Sequence, residues 1–289
     1  MNHGRDKIDW SQALWNRIDQ AVHQETERTR VAAKFVPLYG PVPDALTAPA
    51  DTIELETMTI NEGETTPLIE IWVEFKLTKQ QVEREESLAT TVTLATRAAN
   101  LLSQAEDLLI FQGKKAAKHE LFQSKRVHHR NGLPNAGLVF ADNQFSYEFT
   151  EVKPLDVSTK KYGERTFGAV AEGYSRLQGK GHYGPYALVL PTDAFADTYA
   201  PLASTLIMPA DRIKPLVAKG FLGTGTLPPL TGLLISLGGN TMDRVVGVDA
   251  TTGFMQEDPE GLYRFRVFER FALRIKDPTG VFHLRFIGN

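Results

Sequence analysis

The sequence predicts an α+β fold on three observations. Residues 67–77, PLIEIWVEFKL, alternate apolar and polar side chains at period two, the mark of a half-buried strand. Residues 78–112 then carry an apolar stripe at helical spacing with neither glycine nor proline. The last third holds three strand-like segments, 244–248, 262–275 and 281–287, separated by turn residues.

Taken in order, residues 10–30 read as an amphipathic helix with Trp10, Leu14, Ile18 and Val22 on one face, and Asp9 is placed to cap it. Residues 34–51 carry Pro37, Pro41, Pro43 and Pro49, which forbid a helix and predict an extended arm. IELETMTI (53–60) is the expected partner strand of 67–77, with NEGETT (61–66) as the turn of a long hairpin. Such a hairpin is marginal alone in water and must lie on another surface. The stripe of 78–112, through Leu88, Val92, Ala95, Ala99, Leu102 and Leu109, predicts one continuous spine helix.

Beyond the spine, residues 114–132 read as a basic loop. Short strands are expected at 137–140 and 145–152, and a helix at 166–177. An apolar strand follows at 187–190, then helices at 192–199 and 211–219, a Gly/Pro loop at 221–232 and a strand at 233–237.

The chain has 289 residues, enough for one large or two small domains. It has no cysteine, which excludes disulfides and thiolate chemistry. A net charge of −3 gives no overall footprint for nucleic acid or an anionic membrane. The first residues lack the apolar core of a signal peptide and no apolar run would span a bilayer, so the expected address is the cytoplasm. The histidines form no two-His-plus-Glu zinc pattern, and His128–His129 reads as a solvated basic loop. There is no Gly-x-Ser-x-Gly elbow and no phosphate-binding loop, and GFLGTG (220–225) reads as a turn. Glu85–Glu86 and Glu106–Asp107 read as a solvated helix face or a subunit contact.

Four stretches, PLIEIWVEF (67–75), AEDLLIFQG (105–113), GPYALVL (184–190) and LRIKDPTGVFHLRF (273–286), occur in an order that resembles encapsulin nanocompartment shell proteins. That family shares the tailed-phage major capsid fold of the HK-ninety-seven type. The resemblance implies an N-terminal interior helix (1–33), an extended arm (34–52) and an extended loop (53–77). It further implies a peripheral domain with the spine (78–185 and 243–289) and an axial domain (186–242). It implies a self-assembling icosahedral shell of sixty copies or a small multiple, with no catalytic residues, no cofactor and no metal. It implies capture of a cargo enzyme by its short targeting peptide at Ala33, Phe35, Pro37, Asp249, Ala250 and Thr252. The cargo classes implied are a peroxidase, a ferritin-like iron oxidase or a hemerythrin-like protein. It places Ala203, Ser204, Thr205, Leu206, Ile207 and Met208 around a five-fold pore. Two alternatives stay open at this point: a prophage-derived major capsid protein, and a hydrolase whose triad is assembled from distant residues.

Overall fold

Two five-stranded sheets carry the fold. The computed structural model describes residues 3–43, 45–54, 56–62, 65–140, 146–155, 161–201 and 206–288. The elements begin with α1 (Gln12–Thr29), β1 (Leu38–Tyr39), β2 (Thr47–Pro49), β3 (Thr52–Glu54), β4 (Thr59–Asn61), β5 (Thr65–Pro67) and β6 (Ile69–Thr78). Then come α2 (Lys79–Glu83), α3 (Glu85–Leu88), α4 (Thr90–Gln112), α5 (Glu120–Gln123), β7 (His128–Arg130), β8 (Glu148–Val152), α6 (Glu164–Gly179) and β9 (Tyr186–Pro191). The chain continues through α7 (Thr192–Asp197), α8 (Pro209–Ile213), β10 (Gly220–Thr224), β11 (Thr231–Ser236), β12 (Met242–Glu257), β13 (Leu262–Ile275) and β14 (Val281–Phe286).

The first sheet has the order β1-β12-β13-β6-β7 and the second β10-β9-β11-β14-β8. The strand at 67–77 therefore does not form the expected hairpin with 53–60. Strand β6 pairs antiparallel with β13, from Leu262 opposite Thr78 to Phe271 opposite Ile69. Charge explains the choice: Arg270 stands opposite Glu70 and Arg266 opposite Glu74, whereas IELETMTI would have offered only Glu54 and Glu56 to those carboxylates. Instead 52–61 folds on itself as the β3–β4 hairpin, and β5 pairs with β2.

The apolar side of β6 (Ile69, Ile71, Val73, Phe75, Leu77) meets α4 through Ala95, Ala99, Leu102 and Leu109, and α1 through Leu14, Ile18 and Val22, in one core. Each large side chain removed from water there contributes about 1.5–3 kcal/mol. Ala187, Val189, Leu233 and Ile235 join the same core from one face of the second sheet. The other face of that sheet, with Leu188, Leu190, Leu234, Phe282 and Leu284, packs on Val170 and Leu177 of α6 and on Ile213. The second sheet is thus clamped between two cores. It recruits β8 and β14 from outside the 186–242 span expected for one domain, because β14 pairs with both β11 and β8.

Several local expectations change. Ser11, not Asp9, caps α1, its hydroxyl accepting from Leu14 N–H at 3.2 Å. Trp10 sits ahead of the helix and donates from Nε1 to the Val82 carbonyl at 2.9 Å. The spine is broken: Ala89 takes a left-handed conformation (φ 51°), and α4 starts afresh after it. Residues 137–140 form no strand. Leu138 and Val139 donate to the Ile110 and Phe111 carbonyls at the end of α4, satisfying groups a helix leaves open. His128 lies in β7 with its ring stacked on Trp72, centroids 5.4 Å apart. GFLGTG is no turn but the body of β10, parallel to β9. Gly223 is needed there because a Cβ would sit 2.6 Å from the Phe195 ring. The expected helix at 211–219 is α8 followed by a single 3₁₀ turn at Lys214–Leu216.

Candidate functional site

Strand β12, the end of α1 and the first turn after it meet over a buried ionic junction. Arg30 closes α1 and is 5% exposed. Its guanidinium pairs with Glu106 of α4, with Glu269 of β13 and, at 3.0 Å, with Asp249 of β12. Arg244 pairs with the second oxygen of Glu106. Asp107 accepts the N–H groups of Val31 (2.8 Å) and Ala32 (2.9 Å), which pins the chain as it leaves α1.

Three carboxylates, Glu106, Glu269 and Asp249, share two guanidinium groups here, and Asp107 lies beside them on the two backbone N–H groups. Burial drives the Asp107 carboxyl up to about 7, against the two N–H bonds that favour its charge. Burial also raises Glu269, against the pull of Arg30. For Asp249 burial again opposes ionisation, but the Arg30 charge and the Ala250 N–H outweigh it and hold the group below its usual range. The pair Glu106–Asp107 is therefore a buried anchor and not a solvated face. Among the described residues, no cluster of three acidic or histidine side chains is placed to hold a metal ion.

The residues expected to capture a peptide divide by burial. Asp249 is exposed, Ala250 and Ala33 are half-buried, and Pro37 is exposed, its carbonyl accepting from Arg244 N–H at 2.8 Å. Arg30 brings Asp249 to the turn that carries Ala33. Phe35 is withdrawn: it is 1% exposed, with its ring facing Phe111 at 6.5 Å. Thr252 is fully buried, and its carbonyl accepts from Arg5 Nε at 3.0 Å and Nη2 at 2.7 Å. Sequence reasoning missed Arg5, Arg30 and Glu269, and it read Glu106–Asp107 as a solvated face or a subunit contact. The only available signal was an acidic pair inside an apolar helix stripe.

Of the six expected pore residues, Ala203, Ser204 and Thr205 lie outside the described residues. Leu206 is 93% and Ile207 53% exposed, and Met208, half-buried, leads into α8. Two cavities lie elsewhere. One of about 550 Å³ opens between Asp51, Ile53 and Thr66 on the loop side and Asn131, Leu273 and Lys276 on the body. A second, of about 320 Å³, lies among Trp10, Leu14, Val82 and Glu85.

Two surfaces stand out by charge. The β3–β4 hairpin exposes Met58 and Ile60 (81% and 60%), and no lysine or arginine occurs between Lys34 and Lys76. The polar face of the first sheet is arginine-rich: Arg130, Arg266 and Arg270 all pair with Glu70, at 2.6, 2.9 and 3.0 Å.

Known proteins share the sequence pattern and the fold. The family model described as "Encapsulating protein for peroxidase" (Linocin_M18) matches residues 1–141 and 148–272. The type 1 encapsulin shell protein EncA of Myxococcus xanthus (strain DK1622) is 26% identical over 293 residues, covering 95% of this chain and 93% of its own. A virus-like particle from Pyrococcus furiosus superposes with a TM-score of 0.67 at 16% identity, covering 94% of this chain and 99% of that one. The capsid of Myoviridae phage XM1 gives a TM-score of 0.55 at 13% identity over 87% and 90%. These likenesses bear out the α+β capsid fold of the HK-ninety-seven type.

Proposed function

The chain belongs to the encapsulin shell-protein family, and on that premise we propose that it closes into an icosahedral shell of sixty copies or a small multiple around a guest enzyme. The observation that carries this reading is the loop between Pro49 and Ile69. Among the described residues its β3 and β4 form a separate two-stranded sheet, tied to the body by the Ile53 N–H bond to the Lys276 carbonyl at 2.9 Å; they expose large apolar side chains and carry acidic groups without a single cation. An isolated hairpin of that kind is marginal in water, and a repeated contact between copies gives it a surface while closed symmetry limits the particle.

In this reading the loop between Pro49 and Ile69 is offered to a neighbouring copy, while 69–77, expected as part of it, is the β6 strand of the body. The first sheet with α4 is the peripheral body, and the second sheet is the core of the axial body. Pro37 and Asp249, with the half-buried Ala33 and Ala250, are the accessible part of the guest-peptide site. The family description supports a peroxidase as the guest class. Residues 203–208 are assigned to a five-fold opening on the strength of the exposed Leu206 and Ile207. The shell role is structural, and the compartment is the enclosed volume itself.

Negative-stain microscopy with light scattering tests the assembly directly. Uniform hollow particles with a mass of at least sixty chains are expected. A monodisperse monomer or dimer over a range of protein and salt concentrations would overturn the reading.

A further inference from the structure

Strand β12 has an open edge. On its outer side β1 pairs only with Arg244 and Val245, and Val42 N–H reaches the Val246 carbonyl at 2.9 Å. Further along, the edge is met by the chain's own first residues. Phe254 N–H donates to the His3 carbonyl at 3.1 Å. Arg5 donates twice to the Thr252 carbonyl and once, at 3.0 Å, to the Thr251 hydroxyl, and its charge is held by Asp19 at 2.6 Å. The Arg5 guanidinium lies over the Trp15 ring at 4.7 Å, and the His3 ring meets the edge of Phe268 at 4.9 Å.

The fit is close enough to demand glycine on both sides. Gly4 has φ +75°, and a Cβ there would overlap the Phe254 carbonyl oxygen; a Cβ on Gly253 would stand 2.9 Å from the His3 carbonyl oxygen. Main-chain pairing supplies affinity in strand addition, and side-chain subsites supply selectivity. Here the selective elements are the room for a glycine and the Thr252, Thr251 and Asp19 acceptors for an arginine.

We propose that the edge of β12 from Thr251 to Phe254 is a strand-addition site for an extended peptide bearing a Gly-Arg pair, with His3–Arg5 as its displaceable built-in occupant. This rests on the reading of the neighbouring Asp249 and Ala250 as part of a guest-peptide site. The segment is short and is held by a partly exposed ion pair, so a competing peptide with the same pair recovers what it displaces. Its tether gives it a high local concentration, so it sets a threshold that an incoming tail must exceed.

The test uses full chains and a fluorescein-labelled synthetic peptide, MNHGRDKI, identical to residues 1–8. In the Gly4→Val chain the segment is expelled, amide exchange at Phe254 accelerates, and the labelled peptide binds saturably. The unaltered chain leaves Phe254 protected and binds the peptide on the order of tenfold more weakly or not at all. A peptide carrying Arg5→Ala loses on the order of tenfold in affinity. Unchanged protection at Phe254 in the Gly4→Val chain would overturn the proposal. So would failure of the peptide to bind once exchange shows the edge is free, or equal binding of the Arg5→Ala peptide. The probe is the chain's own segment, so these outcomes do not touch guest capture, which is read separately through substitution at Pro37.

Discussion

Glu85 reaches past the left-handed Ala89 and accepts the backbone N–H of Thr91 at 2.8 Å, with Val92 N–H at 3.3 Å from its other oxygen. A side chain six residues upstream thus does the work of an N-cap for α4, and it is 1% exposed while doing so. Replacing Glu85 with Ala leaves those donors open at a buried helix start. A loss of about 1–2 kcal/mol in denaturant unfolding is expected. Ala89→Gly relieves a left-handed residue that bears a Cβ and should raise stability by up to about 1 kcal/mol. Opposite signs from the two variants are the check; two losses would mean that the break at Ala89 is not strained.

Asp107 gives the chain an alkaline liability. Its folded carboxyl titrates near 7, above the ordinary 3.8, so the folded state holds a proton that the unfolded chain has released. The stabilising contribution is complete below about pH 4 and is lost as pH rises through 7. Glu269, also raised, acts in the same direction. His283, buried and held down to about 4, acts oppositely: its contribution is present above 6.5 and fades as pH falls toward 4. Asp107→Asn should flatten the fall between pH 4 and 7. Above pH 7 it should also cost about 1 kcal/mol, since the amide can accept only one of the Val31 and Ala32 N–H bonds well, whereas the carboxylate accepts both. Unfolding midpoints at half-unit pH steps decide it; an unaltered slope would assign the alkaline loss elsewhere.

Glu70 anchors three arginines, and its burial makes the loss of the partners unequal. Burial opposes its charge, but hydrogen bonding to Arg270 and the charges of Arg266 and Arg130 hold the carboxyl below its usual range. Glu70→Ala strands three cations on the sheet face and should cost about 3 kcal/mol. Arg130, whose side chain is 60% exposed, is screened by solvent, and Arg130→Ala should cost less than about 1 kcal/mol. Similar losses from both would show that the cluster acts as a surface network rather than around a buried centre.

The guest-peptide reading separates Phe35 from Pro37. Phe35→Asp puts a charge into the core beside Phe111, so the subunit itself should fail to fold or assemble. Pro37 is exposed, so Pro37→Asp should leave intact particles while guest co-purification falls at least several-fold. Intact particles that still load fully would move the capture site away from this turn.

What could be read in the sequence follows a physical division. The alternation of 69–77 was legible because one face of β6 is buried and the other is not. Its partner was also written there, in the match of Glu70 and Glu74 to Arg270 and Arg266, but proximity in sequence favoured 53–60. The break at Ala89 carried no glycine or proline, and its cap is a contact made only on folding. The resemblance supplied the candidate site positions. It could not show that Phe35 faces inward or that Arg5 holds the Thr252 carbonyl, because both depend on elements far apart in the chain.

Leu206 offers a test of the opening that does not endanger the fold. Its side chain is 93% exposed, so Leu206→Asp removes almost no burial and particles should assemble at the usual yield. If 203–208 surrounds a five-fold opening, the substitution writes a ring of five carboxylates into it. An uncharged constriction discriminates mainly by size and dewetting, whereas a charged ring discriminates by sign. Entry of an anionic substrate into loaded shells should then slow at low salt and recover as salt screens the ring, while a neutral substrate of equal size is unaffected. Equal slowing of both would indicate a steric change. No change in either would place the route of entry away from Leu206.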